Sequence, residues 1–452
     1  MRRGGMSDMQ VLQPPEAPGD TSEPSEFSPA SGIGRSHGTS GRAPFDRWFR
    51  YPAGFASDYA ATLLGHLNVS PGQVVVDPFA GSGVTGTAAQ QLGMRFFGIE
   101  AHPVIAELAA LKLQSPPGDP AQLIEAGNNL ASSVAKELKS KSQGATISLE
   151  PDLVQRSFSE STLGELLILR ELIKSETQGA WSPYAKWALL GSLRDLAAVQ
   201  VGWPYQRPGR RRKARYESVL ARFQQRLSWI AEDLAMQREI DATSMVLAGD
   251  ARDAKFWQKA PMEVSHGCVS SPPYLNNFDY ADATRLELYF WGEATSWAEM
   301  VRTVRSDMIT ATTQQSSVPA ARTASDMLAS LGSTSSKIST IVEALTEERK
   351  ARPRGKEYDR VIPEYFSAIA KVLENLASSL APGACAAWLI GDSAPYGVYI
   401  DTPALIGEIA ENFGLCQEKD ITLRHRGNRW ATNATRHKVL LSERLLLMRR
   451  CP

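Results

Sequence analysis

Gln73-Val74-Val75-Val76-Asp77-Pro78-Phe79-Ala80-Gly81-Ser82-Gly83-Val84-Thr85-Gly86 is the stretch that decides the fold. Its β-branched start, entered through Pro71-Gly72, reads as a short buried strand, and the glycine-rich turn then opens a helix through Ala88 and Leu92 that Gly93 stops. A second strand follows over 95–99 and ends at Glu100. A strand, a helix and a further strand in this spacing predict a βαβ unit and hence a parallel sheet.

Working outward, a third strand over 245–248 leads to Gly249-Asp250, and a fourth around Gly267-Cys268-Val269 ends at Ser270-Ser271-Pro272-Pro273-Tyr274. Both polar motifs therefore sit just beyond strand ends. A helix over 364–380, a Pro382-Gly383 turn, a strand over 386–390 and the closing run Leu445-Leu446-Leu447-Met448 return to α/β character. Between the second and third strands the spacing is helical; Leu220, Phe223, Leu227, Ile230 and Leu234 fall on one face. Residues 301–357 are Ser/Thr-rich with a basic exit, the pattern of a mobile or partner-ordered insertion. Residues 1–43 are too poor in large apolar groups to offset chain entropy and read as a disordered tail. No internal repeat is present.

Composition narrows the function classes. With 452 residues, 43% hydrophobic and 22% charged, the chain has the make-up of a globular protein with room for a large core. No apolar run is long enough to cross a bilayer and the start lacks a signal-peptide core, so a cytoplasmic location without membrane contact is expected. Lys plus Arg balance Asp plus Glu, 49 against 49, and any nucleic-acid contact must come from local patches. The four cysteines are far apart and form no metal spacing with the six histidines, so neither a zinc site nor a disulfide is expected.

The glycine-rich turn admits three ligands. Gly81, Gly83 and Gly86 satisfy GxGxxG, which allows a nicotinamide dinucleotide with Glu100 on its ribose. Against this, Asp77 ahead of the glycines would repel a phosphate. A triphosphate loop needs Lys where Thr87 stands. A ligand with a cationic end and a ribose fits best: S-adenosylmethionine, its amino group and sulfonium near Asp77 and its ribose hydroxyls near Glu100. The plainer alternative is that these glycines only let a helix pack closely on a strand. His102, just after Glu100, reads as packing or a helix cap.

Ser271-Pro272-Pro273-Tyr274 carries more information. Each proline has fixed φ and no N–H, and each residue before a proline is held extended, so the carbonyls of Ser271 and Pro272 are rigid acceptors. They suit the hydrogens of an exocyclic amine on cytosine or adenine. Tyr274 offers a face for a base taken out of its stack, worth about 1 to 3 kcal/mol, which offsets much of the cost of extrusion. Alternatively the motif is a turn ending a core strand, with Tyr274 as packing. Asn276, Asn277, Asp279 and Tyr280 either touch the base or sugar or cap a helix over 281–290.

Taken together, these residues resemble the amino-group DNA methyltransferases of restriction-modification type. The family's DPFxGSG turn matches Asp77, Pro78, Phe79, Ala80, Gly81, Ser82 and Gly83, its ribose acid matches Glu100, and its adenine-edge acid matches Asp250. Its catalytic motif matches Ser271, Pro272, Pro273 and Tyr274, in the Ser-Pro-Pro-Tyr form that is more similar to the cytosine-N4 enzymes than to the adenine-N6 ones. Tyr51-Pro52-Ala53-Gly54-Phe55 looks like the preceding cofactor motif, which makes Tyr51 a cofactor contact. The resemblance covers about 44–115, 245–300 and 360–450 and is silent on both insertions.

The resemblance implies an α/β Rossmann-like S-adenosylmethionine-dependent methyltransferase sheet with helical insertions. The catalytic core is expected in three parts (44–115, 245–300 and 358–452), with 116–244 a helical insertion suited to target recognition and 301–357 a mobile insertion suited to DNA contact. The expected reaction is methyl transfer to an exocyclic amine in duplex DNA, cytosine N4 first, on a flipped target base and without a metal. A cognate restriction nuclease is a possible partner. Adenine N6, an RNA base and NAD-dependent oxidoreduction are the rivals in that order. For DNA, Arg207, Arg210, Arg211, Arg212, Lys213 and Arg215 lie among aromatic residues, and a second basic group includes Arg426 and Arg429. A solvated surface loop is the competing reading of each group.

Overall fold

The run over 74–77 becomes a central strand because both its faces are covered: Val75 belongs to the apolar cluster that includes Leu63, Leu64 and Ala88, and Val76 to the one that includes Ile362, Ile369 and Val372. The computed structural model describes residues 41–51, 54–138, 147–175, 179–201, 209–237, 244–260, 264–275, 279–311, 316–426 and 440–452. Among them, β1 (Val74–Asp77), β2 (Arg95–Glu100), β3 (Met245–Ala248), β4 (Ser265–Ser270), β5 (Leu380–Gly391), β6 (Leu415–Arg426) and β7 (Leu441–Arg450) form one sheet in the order β3-β2-β1-β4-β5-β7-β6. β1 to β5 are paired in parallel, while β7 runs antiparallel to both β5 and β6.

Helices Ser57–His66, Val84–Gln91 and Pro103–Leu113 cover one face and Tyr358–Ser379 and Thr402–Glu411 the other. Between β2 and β3, helices Ala121–Glu137, Glu160–Ser175, Ser182–Leu196 and Val219–Ala235 build a separate apolar cluster around Trp187, Leu189, Phe223 and Leu227. The segment around Phe45 to Trp48 joins that cluster. Buried Asp233 accepts hydrogen bonds from the Phe45 backbone N (2.8 Å) and the Trp48 indole N (2.8 Å).

Three local expectations change. Within 301–357, expected as a mobile insertion, Val318–Leu328 and Ser333–Lys350 are helices that bury Leu328, Ile338, Ile341 and Leu345 against the sheet-covering layer. Their sparse apolar residues recur on one face, which suffices once a neighbouring helix supplies the other side. The helix over 281–290 is two pieces, Tyr280–Ala283 and Arg285–Trp291. Cys416 and Cys451 are disulfide-bonded, with Cα atoms 6.0 Å apart across 35 residues of sequence. Antiparallel pairing places Cys416 opposite Arg449, so Cys451 arrives beside it. Spacing along the chain does not carry that register.

Candidate active site at the carboxyl ends of β1 and β4

From β1 the chain crosses to β2 on one side, while β4 lies on the other; ligands of parallel sheets bind outside the strand ends at such a switch point. Asp77 ends β1 and Ser271 follows β4 directly. The two turns are tied together by the buried Ser270 hydroxyl, which donates to Asp77 Oδ1 at 2.5 Å. Asp77 also accepts from the Phe79 backbone N (2.9 Å) and the Thr85 hydroxyl (2.7 Å). Its carboxylate therefore braces the glycine-rich turn, a task the sequence reading, which set it beside a cationic ligand group, did not assign. Burial raises its pKa to about 6, against the pull of the three hydrogen bonds.

Gly81 and Gly83 hold positive φ (52° and 84°), and a side chain on Gly86 would run into Leu113 and Phe96. The first two shape the turn and the third lets its helix approach β2. Glu100 accepts from the Gly81 backbone N (2.7 Å) and the His102 backbone N (2.8 Å), and burial pushes it up to about 7. His102 is fully buried, bonds Thr284 Oγ1 through Nε2 (2.7 Å) and caps the Pro103–Leu113 helix; burial depresses it to about 3, so it stays neutral. Lys112, which sequence reasoning missed, is also fully buried and donates to the Ser82 carbonyl at 2.8 Å. A lysine inside an apolar helical run carries no local sign of this role.

At the second turn, the Ser271 hydroxyl donates to the Leu389 carbonyl (3.2 Å) and the Tyr365 hydroxyl to the Pro273 carbonyl (2.9 Å), which clamps Pro272 between them. Tyr274 is half-buried, and its hydroxyl donates to Glu443 Oε1 at 2.6 Å.

Both turns open into one cleft, with Asp77, Pro78, Phe79, Gly81, Ser271 and Pro273 in its wall. Tyr51, Glu100 and Asp250 line it too, as the resemblance implies, and Met308, Ile309 and Val372 add an apolar wall that no motif announced. Pro272, Tyr274 and Gly83 are not part of that wall. The Asp250 carboxylate is not open: Arg252 Nε lies 2.8 Å from each of its oxygens, and the same guanidinium donates to the Asp307 carbonyl (3.2 Å).

Of the expected phosphate contacts, Arg210, Arg211, Arg212, Lys213 and Arg215 are exposed beside the end of the Ser182–Leu196 helix. Lys213 pairs with Glu217 (3.0 Å), Arg215 with Asp195 (3.7 Å), and Arg212 donates to the Arg194 carbonyl (2.7 Å). Arg426, expected at the DNA, is placed differently from these. It turns inward, donating to the Ser442 (3.0 Å) and Asp392 (2.6 Å) carbonyls, because the side-chain-free Gly391 leaves it room. Arg207, Arg429, Asn276 and Asn277 lie outside the described residues.

Residues 22–111 match the family model described as DNA methylase, N6_N4_Mtase. Over 421 residues the chain is 23% identical to the Type II methyltransferase M.BsoBI of Geobacillus stearothermophilus, covering 84% of this chain and 80% of that one. Both likenesses support an amino-group DNA methyltransferase family for this chain. Among solved structures, the chain is similar to the rRNA methyltransferase aviRa from Streptomyces viridochromogenes (9% identity, TM-score 0.30, covering 87% of this chain and 84% of that one). Another is TrmN from Thermus thermophilus (10% identity, TM-score 0.27, covering 87% and 48%). The strand order, five parallel strands with β7 antiparallel to β5, makes the sheet Rossmann-like, with helical insertions. No described helix is long and apolar enough to cross a membrane, and no described cluster of His, Cys, Asp and Glu would hold a metal.

Proposed function

We propose that this enzyme methylates the N4 amine of cytosine in duplex DNA, at a base turned out of the helix. The observation that carries the reading is the joining of the two turns at one cleft by the Ser270–Asp77 hydrogen bond. The cleft's chemistry fits S-adenosylmethionine: the Glu100 carboxylate suits ribose hydroxyls, Asp77 holds the turn beneath the ligand, and Phe79, Met308 and Ile309 suit an adenine ring. S-adenosylmethionine supplies the electrophilic methyl group.

The chain's part is binding and orientation. Glu100 accepts from ribose hydroxyls, and Tyr51 and Asp250 border the cofactor. The carbonyls of Ser271 and Pro272 accept the amine's hydrogens and leave its lone pair facing the methyl group. No dedicated base is needed, since the amine becomes acidic only once methylated; neutral His102, bonded to Thr284, is not placed to be one. The exposed Arg210, Arg211, Arg212, Lys213 and Arg215 are proposed to meet phosphates, and a nuclease reading the same site is the proposed partner.

Incubation with unmethylated DNA and S-adenosylmethionine, followed by nucleoside mass spectrometry, should yield N4-methylcytosine. N6-methyladenine in its place would move the target to adenine, and DNA without any methylated base would sink the proposal.

A pH dependence follows from Glu100. Its native pKa of about 7 stands above the ordinary 4.5 because burial disfavours the charge. The stability linked to that shift is therefore complete below about 4.5 and lost as pH rises through about 7. Cofactor hydroxyls need the ionised form, so affinity should change in the opposite sense. Calorimetry should show binding about 10-fold tighter at pH 8 than at pH 6. In Glu100→Gln that slope should flatten, and an unchanged slope would remove Glu100 from the ribose site.

A further inference from the structure

The carboxyl end of β4, the ends of β5 and β6 and the start of β7 converge on Tyr274, and they bring charged groups that the reaction as described does not use. Glu443 on β7 is almost fully buried, yet it is ionically matched: Arg424 Nε on β6 lies 2.5 Å from Oε2 while Oε1 receives the Tyr274 hydroxyl at 2.6 Å. The Arg426 guanidinium covers the Tyr274 ring at 5.3 Å from its centroid. Arg426 is itself held by the Ser442 and Asp392 carbonyls, and the Asp392 carboxylate fastens the Ser442 N (2.8 Å) and hydroxyl (2.7 Å).

The carboxylates of this network are buried while Arg424 stays 35% exposed, and such pairs add little to stability, so the arrangement calls for another benefit. Every arm of it ends on one ring. We propose that Glu443 and Arg426 are positioning residues that clamp Tyr274, Glu443 fixing the ring's plane through the hydroxyl and Arg426 closing one of its faces, so that an extruded base meets a preset surface. The clamp rests on the reading of Ser271 to Tyr274 as the catalytic turn. The Tyr274 phenol stays protonated, and so able to donate, because burial and then the Glu443 carboxylate push its pKa upward. Gly391, opposite Glu443 in the β5–β7 pair, belongs to the device: a methyl group there would overlap the Arg426 guanidinium.

The test uses the full-length enzyme, unmethylated plasmid DNA and tritiated S-adenosylmethionine under single-turnover conditions, where the rate constant does not depend on the fraction of active protein. Tyr274→Phe keeps the ring and removes the hydroxyl; Glu443→Gln keeps the shape and removes the charge. Each should slow transfer by about 10-fold, the loss expected of one hydrogen bond to a charged group. The double variant should be no slower than the worse single one, and the cofactor Kd should be unchanged in all three. Tyr274→Phe at the wild-type rate, or additive losses, would overturn the clamp. If Glu443→Gln does not fold, Tyr274→Phe decides alone. An active Tyr274→Ala would instead remove the catalytic reading, so the two failures are distinguishable.

Discussion

Asp77→Ala should weaken S-adenosylmethionine binding by about 100-fold or more in calorimetry, while Asp77→Asn should cost less than about 10-fold. Alanine leaves the Ser270 hydroxyl and the Phe79 N–H without their acceptor, and leaves the Thr85 hydroxyl with the Val269 carbonyl alone. Each orphaned buried donor costs about 1 to 3 kcal/mol, and the turn will shift to relieve them. Asparagine can keep the geometry. Its oxygen takes the place of Oδ1 for Ser270 and Phe79, and its amide donates to Thr85 Oγ1, whose proton already has the Val269 carbonyl at 3.2 Å to turn to. Equally large losses in both variants would show that the charge itself holds the cofactor, returning Asp77 to the role its sequence context suggests.

Tyr274→Ala should lower methyl transfer to DNA by about 100-fold or more, with cofactor affinity within about 2-fold of wild type. The loss of a stacking surface alone amounts to about 1 to 3 kcal/mol, or about 10- to 100-fold. Truncation also leaves the buried Glu443 Oε1 without the hydroxyl it accepts, and uncovers the turn that Ser271 and Tyr365 anchor from either side. Cofactor binding should survive because Tyr274 is not in the cleft wall. Tritium incorporation into DNA and calorimetry separate the two quantities. Undiminished transfer would remove the stacking argument, and a parallel loss of cofactor affinity would make Tyr274 a support of the cleft instead.

Much of the site was legible because its signals are local. Proline and glycine restrict or extend their own φ, so the turns at 77–83 and 271–274 announce themselves, and the β-branched run 74–76 marks the strand before the first. Glu100, Asp250 and Tyr51 were found through the family pattern, and all three line the cleft. Lys112, Met308 and Ile309 were not found. Each reaches the site by packing of a helix or a segment far along the chain, and their residue types are ordinary for where they stand. The misplacement of Arg426 has the same origin: one more arginine in a basic stretch looks solvated until β5 and β7 surround it.

The amino-acid sequence by itself determined the parallel βαβ start, the two rigid turns and the chemistry those turns suit, since each depends on backbone preferences within a few residues. Tertiary structure alone decided which groups those turns meet: Ser270 with Asp77 across 193 residues, Tyr274 with Glu443 across 169, and Cys416 with Cys451. Such pairings depend on strand order and register, which arise from burying both faces of the sheet at once and leave no mark on the neighbouring residues.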